Sequence, residues 1–160
     1  MSRLIGILLA GFLLLPGVSA GAAGWDTPAG WSVIDTDHGY KALIARLDAA
    51  VKANKMGLVG RASATLGAKA MLKKTIPGNM VIGVYRPDFA VRMLAASVPA
   101  GIEAPIRFYI TENPDGTATL SYKKPSAVFA PYTDGGAALK ELAAELDTLF
   151  AKIAKEAAAP

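Results

Sequence analysis

The chemistry this sequence offers is carried by arginines and aromatic residues placed on strand-like stretches. Arg107 and Tyr109 alternate with Ile106, Phe108 and Ile110, so in an extended strand they share the face opposite three apolar side chains. Arg61 and Arg86 lie in or at the end of two further strand-like segments. A guanidinium on a sheet keeps its charge at every ordinary pH and presents five donors. It must therefore be solvated, paired with a carboxylate or bound to something else. Two readings stay open. Either this is a solvated outer face or an internal ion pair with Glu112 or Asp35, or it receives an anionic or amphipathic ligand. In the second case the apolar segment around Phe129 and Tyr132 would lie over it. A dimer contact is a third use of the same face.

Other chemistries find little support. The sequence has no cysteine and one histidine, His38. That excludes thiolate catalysis, disulfides, a lipid-modified amino terminus and cysteine-based zinc or iron–sulfur sites. His38 sits between Asp37 and Gly39 and reads as a turn residue before a helix. The order Gly60-Arg61-Ala62-Ser63-Ala64 is not a nucleophile elbow, and Lys69 does not follow a glycine in a phosphate-loop frame. Met56, Met71, Met80 and Met93 have no close repeat that would cage copper, and no haem-attachment motif occurs. Glu103 and Glu112 read as solvent-facing rather than as a paired acid and base. No catalytic residue, metal site or cofactor is assigned.

The elements that must position these groups follow from periodicity. Trp31 to Thr36 reads as a strand, and a helix follows from about Tyr40 to Asn54, with Asp37 as its N-cap. Its apolar residues Tyr40, Leu43, Ile44, Leu47 and Val51 recur at steps of three and four. Met56 to Thr65 reads as a strand, and Leu66 to Thr75 has helical composition without an apolar stripe. Asn79 to Tyr85 is apolar on both faces, as a central strand is. Pro87 opens a second helix with Asp88 in its first turn. Ile106 to Thr111 and Thr117 to Lys123 flank Asn113-Pro114-Asp115-Gly116, which predicts a hairpin. Pro99 to Pro105 and Pro125 to Gly136 read as loops. A terminal helix from about Gly136 to Ala157 carries Leu139, Leu142, Leu146, Leu149 and Ile153, which fits packing on the sheet or a short coiled-coil seam. The order is β-α-β-β-α-β-β-α. It predicts one α+β domain over residues 31–157 with a mostly antiparallel five-stranded sheet.

Residues 1–20 have the layout of a secretory signal: Arg3, an apolar run from Leu4 to Leu15, Pro16-Gly17, and small residues up to Ala20. Cleavage near Ala20 or Ala23 would leave residues 21–30 as a flexible lead-in. The run is too short to span a bilayer, so a periplasmic protein without stable membrane insertion is expected. Arg3 is one of 17 Lys and Arg residues set against 13 Asp and Glu, so losing it leaves a mild positive excess. Basic clusters occur at Lys69, Lys73 and Lys74 and at Lys123-Lys124. They read as a solvated face; no aromatics interleave with them, so nucleic acid is not an expected partner, and weak attraction to anionic headgroups is the open alternative.

The segments GYKALIARLDAAVKANKMGLVGRASATLGA (39–68) and IPGNMVIGVYRPDFAVRMLAASVPAGIEAPIRFYITENPDGTATLSYKKPSAVFAPY (76–132) carry a resemblance. In order and spacing the chain resembles the bacterial domain of unknown function 302 family. The resemblance implies a small α+β fold with TATA-binding-protein-like topology and a homodimer. It carries over no catalytic residues. The combined expectation is an exported binding protein whose candidate ligand residues are Arg61, Arg86, Arg107, Tyr109, Phe129 and Tyr132. A metal-free, cysteine-free enzyme using arginine and tyrosine, and a structural homodimer without ligand, are the alternatives.

Overall fold

The structure is a computed structural model that describes residues 27–160. The leader therefore lies outside the described residues. Five strands form one antiparallel sheet: β1 (Trp31–Gly39), β2 (Gly57–Ala62), β3 (Asn79–Tyr85), β4 (Ile106–Glu112) and β5 (Thr117–Lys123), in the spatial order β1-β5-β4-β3-β2. The main helices are α1 (Tyr40–Ala53), α3 (Pro87–Ala96) and α5 (Gly136–Ala158). Shorter pieces are α2 (Ala64–Gly67), which runs into a π-helical turn (Ala68–Leu72), and α4 (Pro125–Phe129). The expected order of strands and long helices holds.

Strand alternation decides which face is covered. Ile82 and Val84 of β3, Ile106, Phe108 and Ile110 of β4, and Ala118, Leu120 and Tyr122 of β5 are buried together with Leu43, Leu47 and Val51 of α1. α5 contributes Leu139, Leu142, Leu146, Phe150 and Ile153 to the same core. Phe150 stacks on Phe108 with centroids 4.6 Å apart, and Tyr122 tilts against it at 5.6 Å. Each large side chain removed from water here is worth about 1.5–3 kcal/mol, so the helices stay on this face. The apolar stripe of α5 is spent in the chain's own core, and only Leu149 is left partly buried. This is the packing on the sheet that its spacing allowed.

Four local expectations are corrected. Asp37 is not the cap of α1. β1 continues across a register shift to pair Gly39 with Thr117, and Gly39 caps the helix without a side-chain bond. Sheet pairing outcompetes the Asp-His-Gly turn. β2 ends at Ala62 rather than Thr65, because Ser63 turns the chain by accepting the Leu66 amide. The segment 125–136 is not a loop above the sheet. Pro125 starts α4, whose Val128 and Phe129 are buried. Residues 99–103, also read as loop, form a 3-10 turn.

The carboxyl end is tied down by polar contacts. Arg46 of α1 donates to the carbonyls of Ala157 and Ala159. The His38 ring nitrogen Nε2 lies 2.7 Å from the Ala159 carbonyl, which gives the single histidine a structural contact. Asn54 donates to Ala50 and to Glu156, joining the ends of α1 and α5.

Candidate functional site

The face of the sheet opposite the core is floored by small side chains. One cross-strand row runs Val33, Ser121, Tyr109, Val81 and Ala62, and a second brings Arg107 beside Gly83 and Gly60. Tyr109 thus stands between a serine and a valine, and Arg107 beside glycines. At Gly83 the space is taken by Pro105: a Cβ there would sit 2.9 Å from the proline Cγ. A hollow of about 720 Å³ opens over Ala62, Val81 and Tyr109 of this face, within the usual range for small-ligand sites. Arg107, Tyr109, Lys123, Glu103, Asn79 and Val81 are among the residues that line it. Ala64 of α2 and Val128 of α4 also line it.

Arg107 is held loosely. Its Nη2 lies 3.9 Å from Glu103 Oε2, and more than half of its side chain is exposed. That separation is beyond hydrogen-bond length, so the donors of the guanidinium stay open to an acceptor. Neither carboxylate considered from the sequence pairs with it. Glu112 accepts from the Gly78 amide at 2.7 Å, and Asp35 accepts from Thr119 at 2.7 Å. Glu103 is shared: its Oε1 also accepts from the Tyr132 hydroxyl at 2.7 Å. That hydrogen bond raises the Tyr132 pKa, because the neutral phenol donates to a carboxylate that the phenolate would repel.

The six candidates do not form one cluster. Arg107 and Tyr109 meet in the hollow. Arg61 pairs in register with Ile82, which puts it on the helix side, where it donates to Asp48 of α1 at 2.6 Å. A register shift between Leu58 and Gly60 sets its direction, so simple alternation could not fix its face. Arg86 lies over the Phe89 ring at 4.1 Å and binds both Asp88 oxygens, at 2.7 and 3.0 Å. Its hydrogen bonds lower the Asp88 pKa. Phe129 is buried in the core, on the far side of the sheet from Tyr109. Tyr132 also lies on the helix side, in a smaller pocket of about 170 Å³ beside α5, and reaches the hollow's rim only through Glu103.

Residues that sequence reasoning did not place here are Lys123, Glu103 and Asn79. Lys123 was legible, because it follows Thr119 and Ser121 at strand spacing on the outward face of β5. Glu103 was not, since a 3-10 turn brings it in. Asn79 holds α2 against β3: its Oδ1 accepts from the Ala64 amide at 2.9 Å and its Nδ2 donates to Thr65 Oγ1 at 2.9 Å. Among the described residues no group of three or more His, Asp or Glu side chains is placed to hold a metal ion. The site's chemistry is that of a cationic and phenolic surface.

A search of curated proteins finds no match to this sequence. Among solved structures, the fold is similar to that of an uncharacterized conserved DUF302 protein from Bacillus stearothermophilus, with a TM-score of 0.71 and 21% sequence identity. The match covers 81% of this chain and 98% of that one. At that identity the likeness speaks for the fold alone. The family model for domain of unknown function DUF302 matches residues 33–157, which takes in β2 to β5, most of β1 and α5, and Arg107 and Tyr109, so the chain belongs to that family.

Proposed function

We propose that this protein is an exported, periplasmic binding protein that holds a small anionic or amphipathic ligand on its open sheet face. The observation that carries the reading is the hollow, where Arg107 and Lys123 line the same space as Ala62, Val81 and Tyr109, and Arg107 lacks a tight carboxylate partner. An anionic head would meet the guanidinium and ammonium groups, and an apolar tail would lie along Val81, Tyr109 and Ala62. Charge-assisted hydrogen bonds to such a head are stronger than neutral ones. Export is supported by the leader-like layout of residues 1–20.

A homodimer belongs to the same proposal. Val91, Leu94, Val98 and Ile102 recur at steps of three and four along α3 and the turn after it, and all are exposed. Contiguous exposed apolar surface of this kind marks interaction sites. The α5 stripe is not available for this role, being buried within the protomer.

Native mass spectrometry of the protein recovered from a periplasmic extract tests both parts. The expected result is a dimer with retained small-molecule mass, which Arg107→Gln with Lys123→Gln loses while staying dimeric. A bare monomer from the same compartment overturns the proposal.

A further inference from the structure

Residues 49–87 contain seven Lys and Arg residues and no Asp or Glu. This stretch includes the edge strand β2, the arm made of α2 and the π-helical turn, and β3. Charge is therefore segregated within a chain whose overall excess is small. At the arm, Lys69, Lys73 and Lys74 have no described carboxylate within ion-pair range.

The same arm exposes apolar side chains that hold nothing in place. Leu66, Met71 and Leu72 are 64%, 83% and 65% exposed, and no residue from Ala64 to Leu72 is buried. The arm is rooted by polar contacts instead. Asn79 and Thr65 bond each other, Thr65 also donates to the Pro77 carbonyl at 2.8 Å, and Ser63 caps α2. Removing the leucines and the methionine from water requires another surface. Cationic side chains beside exposed apolar ones match an anionic bilayer, where lysines meet headgroups and apolar groups enter the boundary below them. Nucleic acid fits less well, since no aromatic residue occurs between positions 41 and 84 and base stacking needs one.

We infer that the arm over residues 64–74 is a docking surface for an anionic phospholipid membrane. The inference stands apart from the ligand hollow, although Ser63 and Ala64 at the arm's root also line that hollow. Docking is peripheral: no described helix is long and apolar enough to cross a membrane.

The absence of native cysteine permits a test that reads the arm alone. Met71→Cys and Glu141→Cys, each carrying an environment-sensitive fluorophore in the full chain, are titrated with phosphatidylglycerol vesicles and with phosphatidylcholine vesicles. The expected result is a blue shift of the Met71 label on phosphatidylglycerol only, reversed by high salt, with the Glu141 label unmoved. Adding Lys69→Gln, Lys73→Gln and Lys74→Gln should weaken vesicle partition on the order of 100-fold, from a factor of about five for each lysine. None of these side chains is buried, so the fold tolerates the changes. The inference is overturned if the Met71 label does not move, moves equally on neutral vesicles, or moves together with Glu141. A shift produced by raising protein concentration alone, or by duplex DNA in place of vesicles, overturns it in favour of a second copy or of nucleic acid.

Discussion

Replacing Glu103 by glutamine gives the most direct trial of the hollow, because one carboxylate there restrains both Arg107 and Tyr132. Its oxygens lie 3.9 Å from the Arg107 guanidinium and 2.7 Å from the Tyr132 hydroxyl. Two unit charges about 4 Å apart interact by ~1 kcal/mol in a water-like medium, and exposed pairs deliver that or less. Glu103→Gln should therefore cost little stability, under about 1 kcal/mol. It should tighten an anionic probe roughly two- to fivefold by removing a competing negative charge. Arg107→Gln should weaken the same probe by about 10- to 100-fold, the loss of one charge-assisted interaction. The assay is calorimetric titration with decyl phosphate below its micelle concentration, at about 0.1 M salt, where screening extends over ~10 Å. Ultraviolet titration of the phenols gives an independent check. Without the carboxylate acceptor the Tyr132 pKa should fall back toward its ordinary value near 10. If the Tyr132 pKa falls and decyl phosphate binds no better, or Arg107→Gln leaves binding unchanged, the assignment of the hollow to anions is wrong.

Two further outcomes test the fold that supports the site. Phe150→Ala removes the ring stacked on Phe108 at a fully buried position, so the urea midpoint should report a loss of about 3–5 kcal/mol; a loss below about 1 kcal/mol would refute the central place given to this cluster. Asp88, Asp115 and Glu145 have lowered pKa values through hydrogen bonds from Arg86, Thr117 and Arg92 respectively. The unfolded chain binds protons at these groups before the folded chain does, so their contribution is complete above about pH 4.5 and fades as pH falls through the lowered values. Urea midpoints at pH 7 and pH 3 should differ, and Glu145→Gln should narrow the difference; an unchanged difference contradicts the role of the Arg92–Glu145 contact.

Local pattern alone settled much of this protein. The alternation of Ile106, Phe108 and Ile110 with Arg107 and Tyr109 fixed both the strand and the two faces, because a pleated strand has a period of two. Asn113-Pro114-Asp115-Gly116 fixed the hairpin, where Gly116 takes the positive φ of 85° that the turn requires. The three- and four-residue steps of α1 and α5 fixed their buried stripes. Each of these signals lies within a few residues of the feature it determines.

What joins or separates distant side chains was decided by packing. Arg61 turns to the helix side because of a register shift in β2, and it finds Asp48 thirteen residues earlier. Phe129 goes into the core because burying a phenyl ring outweighs leaving it over a polar face. Glu103 reaches Arg107 and Tyr132 together only because a 3-10 turn sets it beside the end of the sheet. Charge segregation over residues 49–87 was written in the composition, yet its exposure was not, since propensity says nothing of what lies beneath a helix. The sequence by itself determined strands, helices and their inner faces, whose causes are local. Only the tertiary structure decided which cations meet in one hollow and which are neutralised elsewhere, because register and burial are properties of the whole sheet.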